Sequence, residues 1–547
     1  MEGAEPASTI PMLLANLVAA RGKHDAVVTG GEALSYEELE RRTAKMARAL
    51  LAIGAGKGMR MALLAPGGTL WLTALLAGLR IGAIVTLVST LCTPPELAHI
   101  LRNSDTQILI GARRFLRHDY AETLAAAFAE LTQGKAELLR LRSAPHLRSI
   151  WLDNVDGLGW AQSIDDLMTR ADAADAPDAE LLCAVEHEVV PSDDALIVYT
   201  SGSTSLPKAV VHTQWNATRF PRELARYFLL RPSDRVMPHL PTFWLGGLGM
   251  TMQVLSVGAT LIYPTSPEID VVLDTIERLN VSRLNSWGDM LVKLREAAIA
   301  RGLDVDKVAG LGPFRDKRGE IIPPHLQASI LGMSETFTAH SAEPLDVRLP
   351  DDKEGSSGRG VDGYERRVVS PETGLEIPLG QVGELQVRGG ALMSGFYKVD
   401  RQKVFTRDGW YPTGDLVRLD ADGYIYFMGR RGDMIKTKAA NVSRLEVEAA
   451  LRSLPDVDLP IVIGLPDTEL GQRVVAAVVP AKGTAPTEDS LRTALREVLS
   501  SYKIPRQIIF ITQEDVPRTA TGKIKLFELS NMLSARIGKP GAARPSG

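Results

Sequence analysis

Short apolar runs alternate with amphipathic helical patterns through the first half of the sequence, and this alternation restricts the fold more than any other feature. The runs RMALLA, AIVTLV, TQILIGA and DALIVYT are typical of strands that are buried on both faces. Among the helical patterns around them, LSYEELERRTAKMARALLAIG places Ser35 and Glu38 in the arrangement of an N-terminal capping box. The alternation predicts an α/β fold with mostly parallel sheets.

Two regions of different character follow. Residues 356–430 combine short strands with glycine-rich turns, which predicts a small β subdomain. The remainder predicts a smaller α+β region. Its elements are helices near 443–453 and 488–500 and strands near 460–464 and 473–479. Since 547 residues exceed one compact domain, we expect at least two domains.

Composition argues against several function classes. A formal net charge of −4 gives no electrostatic case for nucleic acid as the main partner. The two cysteines, Cys92 and Cys183, cannot form a disulfide framework or a multi-thiolate metal site. The nine histidines show no metal-ligand spacing, so we expect no tightly bound transition metal. A reducing cytosol is the simplest compartment, and we expect a cytoplasmic protein.

The most apolar stretch, residues 61–90, is interrupted by Pro66, Gly67 and Gly68 early and by Arg80 late. A spanning helix needs about 20 consecutive apolar residues, so this stretch predicts a buried strand, a helix and a second strand instead. The N-terminus lacks the basic start of a signal peptide. We therefore expect no membrane span. Peripheral contact with a membrane stays open, as does the choice between a monomer and a homodimer.

The segment YTSGSTSLPKAVV, residues 199–211, is a candidate for phosphate binding. It is not a Walker loop, because Gly202 is followed after four residues by Pro207 and Lys208 and then by residues that prefer a strand. What remains is an arch between two strands, whose backbone N–H groups, hydroxyls and lysine can act on phosphate oxygens. From this stretch alone, a Ser/Thr-rich surface turn is the alternative. The hydroxyls belong to Thr200, Ser201, Ser203 and Thr204.

Further motifs follow this loop in a fixed order. They are PTFWLGGLG (241–249), LGMSET (331–336), GELQVRGGALMSGFYK (383–398), DGWYPTGDL (408–416), GRRGDMIKTKAANVSRLEVEAAL (429–451) and PRTATGKIK (517–525). With them, the chain from about residue 20 to 535 resembles the adenylate-forming enzymes: acyl-CoA synthetases, firefly luciferase and the adenylation domains of peptide synthetases. The ordered set is far more specific than any one motif.

The resemblance implies a domain plan and a reaction. An N-terminal adenylation core, residues 1–430, would contain two α/β sheets and a small β subdomain. A hinge at 431–435, a small mobile α+β domain at 436–535 and a disordered tail at 536–547 would follow. In the implied reaction, a small-molecule carboxylic acid attacks the α-phosphorus of MgATP and releases pyrophosphate. The thiol of coenzyme A then attacks the acyl-adenylate and releases AMP.

The resemblance also assigns catalytic roles. Charge builds on the α-phosphoryl oxygens during transfer, so positioning and cationic stabilisation are needed more than covalent help. Lys523 would bridge the acyl carboxylate and the α-phosphate, and Ser334 would donate to that phosphate. Glu335 would hold Mg²⁺, a hard cation that takes few protein oxygens and relies on the nucleotide phosphates.

Binding roles follow in the same way. The loop would grip the triphosphate, Leu331 would lie at the adenine, and Asp415 would accept from the ribose hydroxyls. Gly332 is assigned to ATP binding as well. Arg430 would reach the ribose or a phosphate. The loop residues are Thr200, Ser201, Gly202, Ser203, Thr204 and Lys208. The acyl and pantetheine passage would be lined by Phe243, Trp244, Gly246, Gly247 and Ala439. His212 is interpreted as structural.

Several positions depart from the family pattern. Ser205 and Ala209 replace glycines of the phosphate loop, and a serine at a positive φ would cost on the order of 1 kcal/mol. Leu331 replaces a tyrosine that would stack on the adenine. Gly432 stands at the hinge, and Ala439 replaces a glycine in the loop implied in thioester formation.

The leading hypothesis is an ATP-dependent carboxylic acid–CoA ligase for a fatty, alicyclic or steroid-type acid. One alternative is an adenylate-forming enzyme with a different acceptor, such as a carrier-protein thiol or an internal hydroxyl. The other is a nucleotide-binding homologue without turnover, which the departures from the family pattern motivate. Against it, the lysines, carboxylates and arginine of the motifs are all present.

Overall fold

A computed structural model describes residues 6–137, 139–200, 207–371, 373–430, 434–437, 440–518, 524 and 526–537. The chain divides into two compact units. The larger is built from residues between 6 and 430, and the smaller from residues between 434 and 537 together with 91–96 and Pro207.

Eleven α-helices lie between residues 6 and 430 of the described chain. They are α1 (Ile10–Arg21), α2 (Tyr36–Ala52), α3 (Thr69–Arg80), α4 (Pro94–Asn103), α5 (Tyr120–Ala127), α6 (Ile164–Thr169), α7 (Ala179–His187), α8 (Gln214–Tyr227), α9 (Leu245–Val257), α10 (Ile269–Arg278) and α11 (Gly288–Ala300). Side-chain caps satisfy backbone N–H groups at several starts. At α2, the Ser35 hydroxyl accepts the Glu38 N–H at 3.2 Å, while the Glu38 carboxylate pairs with Arg41 and Arg42.

The strands of this part of the chain are mostly short. They are β1 (Asp25–Thr29), β2 (Glu32–Ser35), β3 (Arg60–Leu64), β4 (Ile84–Leu87), β5 (Ile108–Gly111), β6 (Arg114–Phe115), β7 (His118–Asp119), β8 (Ser149–Leu152), β9 (Gln162–Ser163), β10 (Asp194–Thr200), β11 (Lys208–Thr213), β12 (Arg235–Pro238), β13 (Thr260–Tyr263), β14 (Arg283–Asn285), β15 (Leu331–Met333), β16 (Thr338–Ala342), β17 (Arg359–Gly360), β18 (Glu365–Val369), β19 (Val382–Arg388), β20 (Gly395–Phe396), β21 (Tyr411–Leu419) and β22 (Ile425–Arg430).

These strands form two α/β sheets and a β subdomain, as predicted. The first sheet has eight strands in the order β20-β11-β10-β4-β3-β5-β8-β9, and the second has five in the order β14-β12-β13-β1-β2. Neighbouring strands from β10 to β9 run parallel, whereas β10 and β11 are antiparallel. The antiparallel subdomain pairs β18, β19, β21 and β22 in that order. A three-stranded sheet joins β15, β16 and β17.

Helix α3 is almost entirely buried in the core. Its residues from Trp71 to Arg80 are all buried. Arg80, which interrupts the apolar stretch in the sequence, is only 4% exposed, and its guanidinium pairs with Glu40 and Glu186. A buried charge requires such partners, so the arginine terminates the apolar helix without reaching solvent.

The smaller unit is an α+β fold, as predicted. Alternation along its long strands sends Val462, Val474 and Ala476 to an apolar cluster on one face of the sheet, and Ile461 and Val475 to a cluster on the other. Its sheet order is β24-β23-β26-β25, with β27 beside β26. The elements are β23 (Met434–Thr437), β24 (Ala440–Ser443), α12 (Arg444–Arg452), β25 (Val457–Asp467), β26 (Gly471–Pro480), α13 (Glu488–Arg496), β27 (Gln507–Phe510) and α14 (Leu526–Ile537).

Within the described residues, no helix combines the length and the apolar character that crossing a bilayer requires.

Candidate active site

The predicted phosphate loop connects two paired strands. Thr200 at the end of β10 faces Lys208 at the start of β11, and Tyr199 faces Ala209. The Lys208 ammonium lies 5.1 Å from the centre of the Phe396 ring on β20. The sequence interpretation of an arch between two strands is therefore supported at both of its ends.

A tight turn, residues 333–338, carries Ser334 and Glu335, two of the three predicted catalytic residues. It joins β15 to β16 through a short 3₁₀-helix, Ser334–Thr336. The hairpin requires glycine at position 332, because a Cβ atom on that residue would lie 1.9 Å from the Thr338 carbonyl oxygen. Phe337 and Thr338 follow with φ values of 44° and 99°, a region that L-residues rarely adopt and that costs about 1–3 kcal/mol per residue. A strained turn of this kind persists only if its surroundings hold it.

Three successive carbonyl groups of this turn accept hydrogen bonds from three separate segments of the chain. The Ser334 oxygen lies 2.7 Å from Nε2 of His212 on β11. The Glu335 oxygen accepts the Met393 N–H at 2.9 Å. The Thr336 oxygen accepts the Tyr364 hydroxyl at 2.8 Å. These contacts compensate for the backbone strain.

The Glu335 carboxylate is positioned by a neighbouring motif. The Tyr411 hydroxyl donates to its Oε1 at 3.3 Å. Tyr411 opens β21, which also carries Asp415. Met393 and Tyr411 belong to the 383–398 and 408–416 motifs, so three separate predicted motifs meet at the 333–338 turn.

Asp415 is buried in the middle of β21, with 4% of its surface exposed. Its backbone N–H donates to the Thr413 hydroxyl. In the β21–β22 ladder, its backbone lies opposite that of Arg430. Gly414, at φ 73°, places the adjacent backbone in the left-handed region. The ribose contact assigned to this aspartate stays a prediction.

The predicted acyl segment forms the start of α9. Trp244 precedes the helix as its N-cap residue, and its ring meets that of Phe243 edge to face, with centroids 5.4 Å apart. A Cβ atom at Gly247 would lie 2.3 Å from the Pro241 carbonyl oxygen, so the first turn packs directly on backbone. At Gly249, a Cβ atom would meet Cγ2 of Thr338 at 2.6 Å. Helix α9 therefore lies against the 333–338 turn.

Part of the predicted site falls outside the described residues. In the loop these are Ser201, Gly202, Ser203, Thr204 and the departure Ser205; in the smaller unit they are Gly432, Ala439 and Lys523. For Arg430 only the backbone is described. The roles of all these residues stay predictions.

Comparison with protein families decides the assignment. The AMP-binding enzyme model matches residues 14–397, and the model of the AMP-binding enzyme C-terminal domain matches residues 446–523. The chain belongs to the AMP-binding enzyme family. The second match ends at Lys523, the residue to which the resemblance assigns the central cationic role.

Two relatives in this family match nearly the whole chain. Sulfoacetate–CoA ligase of Cupriavidus necator is 29% identical over 92% of this chain and 93% of its own length. The 3-hydroxybenzoate–CoA/4-hydroxybenzoate–CoA ligase of Thauera aromatica is 30% identical over 94% of this chain and 95% of its own.

One solved structure shows the shared fold. A variant of o-succinylbenzoate CoA synthetase from Bacillus subtilis, bound with a product analogue, matches with a TM-score of 0.74 at 22% identity. The match covers 96% of this chain and 98% of that chain.

These findings confirm several predictions. The chain is an adenylate-forming enzyme of the acyl-CoA synthetase branch, an AMP-forming acid–CoA ligase that uses ATP, Mg²⁺ and coenzyme A. The predicted fold class is confirmed too. The predicted fatty, alicyclic or steroid acid is not among the acids for which these two relatives are named.

The departures from the AMP-binding family pattern have different consequences. Ala209 lies inside β11, paired with Tyr199, and its φ is not positive, so alanine adds no backbone strain there. Leu331 is 7% exposed and packs in the apolar cluster that also contains Val210 and Leu385. The adenine contact assigned to Leu331 stays a prediction, and little of its side chain is accessible. The neighbouring Gly332 is exposed.

The donor set of the site fits Mg²⁺. Glu335, Ser334 and Thr200 are each partly exposed, and the Tyr411 hydroxyl holds the Glu335 carboxylate. No group of three or more His, Cys, Asp or Glu side chains suited to a metal ion occurs in the described part of the chain. One carboxylate with phosphate and water oxygens is the pattern that Mg²⁺ prefers.

Sequence reasoning assigned no contact at this site to three residues that lie around it. His212 and Tyr411 contact the turn that carries Ser334 and Glu335, and Trp287 lies against the acyl segment. Tyr411 lies within the 408–416 motif and His212 directly follows the 199–211 segment, which was the available signal. Their partners lie 76 and 122 residues away along the chain, so no local pattern connects them.

Proposed function

We propose that the 333–338 turn is the centre of acyl adenylation and that this ligase acts on compact, planar carboxylic acids. The observation that carries the proposal is the meeting of separate motifs at one strained turn. His212 reaches it from the phosphate-loop strand, Met393 and Tyr411 reach it from two later motifs, and α9 packs on Thr338. Strain that is held from several sides is characteristic of functional sites.

In the proposed first step, an oxygen of the substrate carboxylate bonds to the α-phosphorus as the bond to pyrophosphate breaks. Lys208 and the loop hydroxyls bind the leaving phosphates, and Ser334 and Lys523 stabilise the charge that develops on the α-phosphoryl oxygens. Glu335 would hold Mg²⁺, which neutralises phosphate charge when it is bound. In the second step, the sulfur of coenzyme A bonds to the acyl carbon, and AMP leaves.

The hinge predicted at residues 431–435 is part of the proposal as well. We keep the hinge at 431–435, because the described residues of the larger unit run to 430 and those of the smaller unit run on from 434. We assign the adenylation chemistry to residues before 431, with Lys523 as the exception. The acceptance of coenzyme A is assigned to the loop that contains Ala439.

The choice of acid rests on Trp287. A Cβ atom at Gly246 would lie 2.8 Å from Cη2 of Trp287, so the indole ring rests against the first turn of α9. The Asn285 amide donates to the Gly246 carbonyl at 3.4 Å and holds the two segments together. Trp287 nevertheless keeps 44% of its surface exposed, and Met290, three residues later in the chain, keeps 41%.

An indole ring in this position offers a flat apolar surface beside the acyl segment and takes up space that a long chain would need. Aromatic rings stack on such surfaces with a gain of about 0.5–1.5 kcal/mol beyond burial. The hydroxybenzoate relative supports the aromatic assignment. We therefore favour a benzoate- or cinnamate-type acid over the fatty, alicyclic or steroid acids of the sequence hypothesis.

A pyrophosphate-release screen tests the proposal. The panel contains benzoates, hydroxycinnamates, short aliphatic and sulfonated acids, octanoate, palmitate and a steroid acid, each with and without coenzyme A. We expect the highest kcat/KM with an aromatic acid and acyl-CoA only when coenzyme A is present. A preference for palmitate or the steroid acid would refute the acid class. Fast AMP release without coenzyme A would indicate a different acceptor.

Replacing Trp287 by alanine should enlarge the acyl passage. For Trp287→Ala, the ratio of kcat/KM for octanoate to that for benzoate should rise at least about tenfold, since methylene-sized differences in such pockets are worth 10–200-fold. Val292→Ala, on helix α11 and 55% exposed, is the matched control and should leave the ratio unchanged. Equal ratios in both variants would exclude Trp287 from the passage.

A further inference from the structure

His212 lies on the strand that leaves the phosphate loop, on the same face as Lys208. Alternation along β11 sends Val210 to the cluster that contains Leu331, whereas Ala209 and Val211 pack in a separate cluster on the opposite face. His212 therefore faces the 333–338 turn. It is completely buried.

The histidine contacts the turn in two ways. Its Nε2 lies 2.7 Å from the Ser334 carbonyl oxygen, and its ring meets the Phe337 ring edge to face, with centroids 4.9 Å apart at 89°. A carbonyl oxygen only accepts, so Nε2 carries the proton. Burial lowers the pKa of His212 to about 4, and the ring is therefore neutral at physiological pH.

The Ser334 carbonyl is the first of the three that hold the turn, and the only one of them whose donor comes from the phosphate-loop strand. The donors to the other two carbonyls, Tyr364 and the Met393 N–H, belong to the β subdomain side of the turn. The His212 bond thus fixes the distance between the strand that carries Lys208 and the backbone that carries Glu335.

We propose that His212 is a positioning residue. It holds the Glu335 carboxylate at a fixed distance from the strand that carries Lys208, so that Mg²⁺ and the triphosphate are bound together. This proposal rests on the proposed function, because the roles of Lys208 and Glu335 come from it. His212 itself touches neither nucleotide nor metal. Its loss should therefore weaken the cooperation between Mg²⁺ and ATP and leave the binding of metal-free ATP unchanged.

Glutamine and asparagine form a matched pair for the test. The terminal amide nitrogen of glutamine reaches about as far from the backbone as Nε2 of histidine, whereas asparagine is one methylene shorter. Calorimetry would measure ATP affinity for wild type, His212→Gln and His212→Asn, once with Mg²⁺ in excess and once with EDTA. The full chain is used, and the melting temperature of each variant is recorded.

Wild type and His212→Gln should gain similar ATP affinity from Mg²⁺. His212→Asn should lose about tenfold of that gain, the upper range for one hydrogen bond, with the EDTA affinity unchanged. A loss in EDTA as large as that with Mg²⁺, an equal loss in both variants, or no loss in His212→Asn would each overturn the proposal. The test does not depend on the acid: a chain that shows the expected binding but no pyrophosphate exchange with any acid would contradict the proposed function alone.

Discussion

Lys523→Ala should reduce acid-dependent ATP–pyrophosphate exchange by about 10²–10³-fold, the cost of removing one preorganised group that stabilises a developing oxyanion. The residue ends the match to the C-terminal family model. Its proposed position between acyl carboxylate and α-phosphate matters most while charge builds on the phosphoryl oxygens. The exchange assay reports that step directly, without coenzyme A.

Two comparisons make this result specific. Lys525→Ala removes a lysine from the same motif, two residues on, and should leave exchange within about twofold of wild type. Supplying preformed acyl-adenylate with coenzyme A should restore most of the thioester formation in Lys523→Ala. Near-normal exchange in Lys523→Ala would refute the assigned role, and loss in both lysine variants would indicate a general disturbance of the motif.

Glu335→Gln should reduce exchange by about 10²-fold at ordinary Mg²⁺ concentrations, and added Mg²⁺ should recover part of the loss. The substitution keeps the side-chain volume, and the amide oxygen still accepts the Tyr411 hydroxyl that contacts Oε1 in the native protein. The charge that attracts the cation is lost, and little else changes. The measurement is the exchange rate as a function of Mg²⁺ at fixed ATP.

Glu365→Gln serves as its control, because Glu365 is exposed on β18 and pairs with Arg388 at the surface. Such pairs contribute little to stability, so this variant should behave as wild type. If Glu335→Gln and wild type respond identically to Mg²⁺, the carboxylate is not the metal ligand.

Strand positions followed from the sequence because their signal is local. The run RMALLA, residues 60–65, became β3 at Arg60–Leu64, and DALIVYT became β10 with both bounds as predicted. Helix α13 ends at Arg496, four residues before the predicted end. Helix ends are less certain, since tertiary packing decides how far a weak pattern continues.

The partners of isolated polar residues did not follow from the sequence. Arg80 was an interruption in an apolar stretch, and its two glutamates lie 40 and 106 residues away. His212 was interpreted as structural, which its complete burial supports, but the carbonyl that it contacts could not be foreseen. The left-handed backbone at Phe337 and Thr338 gave no signal either, because neither residue is glycine.

The departure at Ala209 shows why a difference from a family pattern needs a backbone to interpret it. Ala209 replaces a glycine of the family pattern, yet the residue lies in an ordinary strand and its carbonyl accepts the Tyr397 N–H at 2.8 Å. The motif residues identified the chemistry, because their types and order are specific. Their mutual distances depended on contacts across the sheets.

The glycines of helix α9 have a consequence for how acid preference could change in evolution or in the laboratory. A side chain at Gly247 would collide with the Pro241 carbonyl oxygen, and one at Gly249 would have to displace the Thr338 side chain, so point mutations in this wall of the passage are costly. Trp287 rests against Gly246 at the start of this helix and is 44% exposed. Variant libraries that randomise Trp287 and Met290 should therefore yield altered acid scope more often than libraries that randomise α9.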